Sequence, residues 1–183
     1  AIAIAQNQTR ARFWKRWCQI AACALLVTAG SYAMYPQSFI YFGILHGIAL
    51  MLIVVRFAAP SGLWLWISGA LVLALPHLAL NAHTTWPALE VLNTPWLNWI
   101  GFISRKPVTE DYAPLLPWLG VMLWGVAAGR WCLHARPQWM QLRLGRAVQP
   151  LATLGRWSLS YYMVHQPVMI GLLMLAGFLS GRA

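Results

Sequence analysis

Acidic side chains are almost missing from this sequence. Of 183 residues only Glu90, Glu110 and Asp111 carry a side-chain carboxylate, against 13 Lys and Arg, and the formal net charge is +10. Charge of either sign is scarce, at 9% of residues, while 60% are hydrophobic. So little polar surface cannot cover a soluble globule, and the chain needs lipid around it. In a soluble domain such a positive balance would point to nucleic acid. Here the cations stand at the edges of apolar runs, where topology and anionic headgroups account for them. No RNA-binding aromatic motif and no zinc-ligand spacing accompanies them, so neither a nucleic-acid partner nor a metal site is expected. Cysteine is scarce as well: Cys18, Cys23 and Cys132 are odd in number, form no C-x-x-C pair, and read as small apolar packing residues. No internal repeat or low-complexity linker is visible, and the first apolar run is too long for a signal-peptide core.

What the sequence does have is long apolar runs, over residues 17–35, 39–57, 63–80, 115–133 and 157–179. Each approaches the ~20 residues that span a ~30 Å hydrocarbon layer. The fold expected is therefore all-α: a polytopic transmembrane helix bundle of five spans in a single domain over 1–183. Basic residues fill alternate gaps. Arg10, Arg12, Lys15 and Arg16 precede the first run, Arg56 edges the second gap, and Arg130, Arg136, Arg143, Arg146 and Arg156 occupy the fourth. The turn at 36–38 has none, and the long gap before Leu115 has only Arg105 and Lys106. By the positive-inside rule the N-terminus is cytoplasmic and the C-terminus lies outside.

The turns at 35–38 and 59–62 are short enough to make spans one, two and three sequential antiparallel neighbours. Residues 6–15 read as a basic interfacial lead-in, with Phe13, Trp14 and Trp17 at headgroup depth. The long third gap contains Trp86, Trp96, Trp99 and all three acidic residues, with Trp118 at its far edge. It is expected to lie on the outer face as an interfacial segment with an amphipathic helix around 89–102, a lid over an external pocket. The spacings Gly43 with Gly47 and Gly125 with Gly129 mark close helix-packing seams.

Ionisable groups at bilayer depth are expensive, and two histidines lie deep. His46 is seven residues into the second run and His165 eight beyond Trp157, or ~10 and ~12 Å at helical rise. Ser158, Tyr161, Tyr162 and His165 share one face of the fifth span, and Gln166 extends that stripe. Pro167 frees the carbonyl of Met163 beside it. His165 reads either as a neutral histidine bonded to a carbonyl or tyrosine, or as a ligand-binding or proton-transfer group; His46 has the same two readings. The two imidazoles are expected to face a common interior near the midplane. His77 and His83 read as interfacial and His134 as solvated. Asp111 reads as a cap on the N-terminus of the fourth span or as a site residue. Arg56, Arg130 and Arg156 read as topological anchors or as a cytoplasmic anion site suited to multidentate guanidinium groups.

Three ordered motifs carry a resemblance: FIYFGILHGIAL at 39–50, DYAPLLPW at 111–118 running on to Gly129 and Arg130, and LGRWSLSYYMVHQP at 154–167. They resemble those of bacterial membrane proteins carrying the heparan-α-glucosaminide N-acetyltransferase catalytic domain, over most of the chain from Arg12. The resemblance implies a multi-pass protein of the bacterial inner membrane that moves an acetyl group from cytoplasmic acetyl-CoA, or another acyl-CoA, to a glycan or other acceptor. Acyl-CoA would be a cosubstrate and not a permanently bound cofactor. It implies His46, Asp111, Tyr161, Tyr162 and His165 as site-lining residues and Arg56, Arg130 and Arg156 as phosphate contacts. The family's Asp-x-x-Arg-Gly-like motif and its reacting histidine are not among these 183 residues, so no catalytic residue is assigned. The chain is expected to be the C-terminal part of a larger family domain, inactive by itself.

Two other functions fit the composition. One is a non-catalytic accessory subunit packed against a larger membrane complex, which suits the many outward-facing aromatics. The other is a transporter using the deep histidines, although the chain lacks broken-helix repeats.

Overall fold

The computed structural model describes residues 10–135, 138 and 149–180. The chain divides into two compact units, Ala1–Met140 and Gln141–Ala183, each described by itself. The first contains α1 (Arg10–Met34), α2 (Ile44–Ala58), α3 (Trp64–Thr85) and α4 (Leu115–Ala135); the second contains α5 (Gln149–Arg156) and α6 (Ser158–Leu179). The protein is all-helical over the described residues. Helices α1, α3, α4 and α6 are long and apolar enough to cross a membrane. Arg136, Arg143 and Arg146, the start of the lead-in at 6–9 and the side chain of Gln166 lie outside the described residues.

Long apolar runs have one good solution in lipid, a helix that satisfies its own amides, and most boundaries follow from that. The lead-in is not a separate element, because α1 runs unbroken from Arg10. The second run departs further. Only Ile44–Ala58 is helical, a helix of 15 residues, about 22 Å long at the α-helical rise. Residues 39–43 stay non-helical, held by side chains of α1 and of the loop before α4.

The core of the first unit forms where α2, α3 and α4 meet, at Met51, Val55, Leu65, Leu119, Leu123, Val126 and Ala127. α3 and α4 pack tightly at two glycines, Gly69 and Gly120. A Cβ on Gly120 would stand 2.8 Å from the carbonyl oxygen of Gly69 and 2.7 Å from Leu73 Cγ, so a side chain here would force the helices apart. This seam lies outside both expected glycine pairs. Gly129 is buried in α4, whereas Gly43 and Gly47 face the chain at 111–113.

α1 and α2 run antiparallel, as the short turn between them requires. Trp17 Nε1 donates to the carbonyl of Ala49 at 2.9 Å, and the Arg56 guanidinium lies over the buried Phe13 ring at 5.2 Å. α4 carries a break at its start. Leu116 has φ −96° and ψ 133°, because a residue before proline is pushed out of the helical region and Pro117 follows it.

The expected amphipathic helix at 89–102 is replaced by two 3-10 turns, Pro87–Asn93 and Asn98–Ile100. Pro95 is the physical reason: it removes an amide from any continuous helix and holds Thr94 extended, at ψ 149°. The segment keeps its exposed tryptophans, Trp86 and Trp96, and the exposed Trp118 follows in α4. Asn93 closes it by accepting the Ser104 amide at 2.9 Å.

Candidate functional site

The polar groups of the first unit gather at the end of the bundle that contains all three acidic residues. Their organising element is the non-helical stretch 38–44, whose backbone groups would be costly to leave unpaired in an apolar setting. α1 supplies the first partners. Ser31 Oγ accepts the Ile40 amide at 3.0 Å, and Thr28 Oγ1 donates to the Ile40 carbonyl at 2.7 Å. The loop before α4 supplies the rest. Thr109 Oγ1 donates to the Phe39 carbonyl at 2.9 Å, the Glu110 amide donates to the Ser38 carbonyl at 3.1 Å, and Ser38 Oγ donates to Glu110 Oε1 at 2.7 Å.

His46 and Asp111 meet at the entrance to α2. Asp111 Oδ2 accepts the Ile44 amide at 2.9 Å. The carboxylate therefore caps α2 and not α4, the helix it precedes in sequence; the negative charge sits at the positive end of the α2 dipole. Gly43 makes this approach feasible, because a Cβ there would overlap the Asp111 carboxylate and lie 2.8 Å from Ile40 Cγ2. His46 is the third residue of α2, in its first turn, and not seven residues along a helix as its position in the apolar run implied. Its Nδ1 faces the Gly43 amide at 3.4 Å and its Nε2 faces Thr28 Oγ1 at 3.2 Å.

Beside this cluster stands a second one that sequence reasoning missed. Asn98, 1% exposed, donates from Nδ2 to the Tyr41 hydroxyl at 2.6 Å. Tyr112 donates its hydroxyl to the Asn98 carbonyl at 2.5 Å. Burial, with a smaller contribution from the neighbouring Tyr41 phenol, raises the pKa of Tyr112 above the ordinary tyrosine value, so it stays a neutral donor. The Phe42 and Trp99 rings pack 5.7 Å apart across the same junction. A tyrosine two residues before Gly43 and another immediately after Asp111 were the available signals. His83 also gains a partner here, with Nε2 2.9 Å from the Phe102 carbonyl.

The opposite end of the bundle contains Arg56 and Arg130. Arg130 donates from Nη1 to the Pro60 carbonyl at 3.2 Å, in the turn that follows α2. Its side chain lines an open cavity of about 360 Å³ with Ser61, Gly62, Trp66, Trp131 and His134. His134 is exposed, its Nδ1 2.7 Å from the Arg130 carbonyl.

In the second unit, Arg156 ends α5. His165 places Nδ1 2.8 Å from the Tyr162 carbonyl and 3.2 Å from that of Tyr161, an N–H donor turned back on its own helix. Its ring stacks on Tyr161 with centroids 5.6 Å apart and an interplanar angle of 10°. His46 and Asp111 thus stand together in one unit, while Tyr161, Tyr162 and His165 stand together in the other.

The family model described as heparan-α-glucosaminide N-acetyltransferase, catalytic, matches residues 1–167. The chain belongs to this family. The match covers both units' candidate residues and ends at Pro167, the last residue of the third motif. No curated protein and no solved structure matches the chain. Membership in the heparan-α-glucosaminide N-acetyltransferase catalytic family gives the all-helical bundle a membrane acyltransferase-like role.

Proposed function

We propose that this chain is part of a membrane acyltransferase of the bacterial inner membrane. It takes an acetyl or other acyl group from acyl-CoA at the cytoplasmic face and passes it to a glycan or other acceptor reached from the outer face. The observation that carries this reading is the family match over 1–167. The arrangement of charge supports it: Arg56 and Arg130 stand at one end of the first unit, and Glu110 and Asp111 with aromatic side chains at the other. The acceptor amine or hydroxyl attacks the thioester carbonyl carbon, the C–S bond breaks, and the CoA thiolate leaves with the acceptor's proton. In the first unit Arg56 and Arg130 are the residues for the donor's phosphates, and His46 and Asp111 shape the acceptor end; in the second, Arg156 is a phosphate contact, and Tyr161, Tyr162 and His165 are site-lining residues of α6.

Binding of labelled acetyl-CoA to the purified full-length protein tests the donor site. Arg130→Ala is expected to weaken binding about 10- to 100-fold, the equivalent of the roughly 1.5–3 kcal/mol of a hydrogen bond to a charged group. His165→Ala should bind close to wild type. No binding to a folded wild type would overturn the acyltransferase reading and put a non-catalytic accessory subunit in its place.

The orientation has its own test. In a cysteine-free background, a membrane-impermeant thiol reagent applied from outside is expected to label a cysteine introduced at Gln37 or Asn93 and to spare one at Ser61. The reverse pattern would invert the five-span, N-terminus-inside topology on which the two faces depend.

A further inference from the structure

We infer that His46 is a positioning residue that fixes the entrance of α2, and not a proton-transfer group. The hydrogen bonds around it determine its tautomer. Thr28 has one hydroxyl proton, and it goes to the Ile40 carbonyl at 2.7 Å. At the 3.2 Å contact with Thr28 Oγ1, His46 Nε2 must therefore be the donor. The Gly43 amide donates to Nδ1 at 3.4 Å, which requires a lone pair there. Two independent contacts thus specify the same neutral imidazole, protonated on Nε2, with both nitrogens engaged. Neither is left to take a proton from an acceptor.

The role fits the position. His46 is the third residue of α2, where a side chain can reach back to the amide preceding the helix, as the Glu or Gln of a capping box does. Gly43 has no side chain with which to return the bond, so only this arm of the motif exists. His46 and Asp111 share the helix entrance between them, His46 accepting the Gly43 amide and Asp111 the Ile44 amide. The Nε2 bond adds what an isolated helix end lacks, a tie to α1 at Thr28. Together they hold the Asp111 carboxylate and the stretch 38–43 in fixed register with α1.

A side chain with an acceptor and a donor at these two places can replace the imidazole without its proton chemistry. Glutamine has both, and alanine has neither. In the full-length protein, H46A is expected to melt several degrees below wild type, and H46Q to regain most of that loss. Transfer of radiolabelled acetyl from acetyl-CoA to glucosamine, the probe acceptor, rests on the acyltransferase reading above. In that assay H46A should fall at least about tenfold and H46Q stay within about threefold of wild type, as for loss and restoration of one ordinary hydrogen-bond contribution. The pH–rate profile of H46Q should keep every limb of the wild-type curve. H46Q that melts like wild type but transfers no better than H46A, or that loses a limb near neutral pH, would overturn the proposal. So would H46A that melts and transfers like wild type. If the wild type acetylates nothing, the acyltransferase reading is at fault, and the melting series alone decides: rescue by glutamine supports the positioning role and its absence refutes it.

Discussion

Gly101→Ala is expected to be among the most damaging single-methyl changes in this protein, lowering its stability by roughly 3 kcal/mol, the sum of a strain and an overpacking cost. Gly101 ends the 3-10 turn Asn98–Ile100 with φ 104° and ψ 11°, a left-handed conformation that an L side chain resists. Space is the second obstacle. A Cβ would overlap the carbonyl oxygen of Leu116 and stand 3.1 Å from Pro114 Cβ. The blocking atom belongs to backbone, at a residue already fixed by the proline after it, so it cannot rotate away. Left-handed strain of about 1–2 kcal/mol and overpacking of about 1–3 kcal/mol act together. In thermal unfolding of the purified protein this corresponds to a drop of roughly 6–12 °C, taking about 2–4 °C per kcal/mol at this chain length. A variant melting within a degree of wild type would show that the turn yields.

The second large effect concerns Gly43 and Asp111, and it is a coupling. Asp111→Ala removes the acceptor of the Ile44 amide, a charged helix cap that contributes on the order of 1–2 kcal/mol. Gly43→Ala inserts a methyl where that carboxylate lies and expels it, so it should cost a similar amount. Once the carboxylate is gone, most of the damage a Cβ can do there is already done. The double variant is therefore expected to be less destabilised than the two singles combined, by roughly 1 kcal/mol. Simple additivity in denaturation midpoints would mean that the two residues act separately. Asp111→Asn, which keeps an acceptor but not the charge, should fall between wild type and Asp111→Ala.

The parts of this structure legible in the sequence are those governed by local hydrophobicity. The fifth apolar run, 157–179, is the helix Ser158–Leu179, and the fourth begins at Leu115 in both. The second run reads as helical from residue 39 because its composition does not distinguish a buried helix from a non-helical stretch buried by other means. What decides between them is the set of partners for its backbone N–H and C=O groups. Those come from Thr28 and Ser31, inconspicuous inside an apolar run, and from Thr109, Glu110 and Asp111. The bonds from 109–111 to this stretch span 67 to 72 residues. Periodicity cannot see contacts at such separation. For the same reason Asp111 points to the helix just after it in sequence, whereas the amide it satisfies begins a helix much earlier. Tyr41 and Tyr112 had only their places near Gly43 and Asp111 to mark them, and Asn98 was not legible at all, since nothing local distinguishes a buried asparagine in a Trp-rich loop from a solvated one.

The cap that Asp111 places on α2 also bears on how the protein is made. Ile44 and Asp111 are separated by 67 residues. At the usual 5–20 residues per second, the ribosome adds Asp111 roughly 3–13 s after Ile44. During that interval one amide in the first turn of α2 lacks its partner and the stretch 38–43 has only its α1 contacts. The α1–α2 pair is thus an unfinished piece that residues 109–111 complete, and its wait is set by the time needed to translate α3 and the Trp-rich loop together.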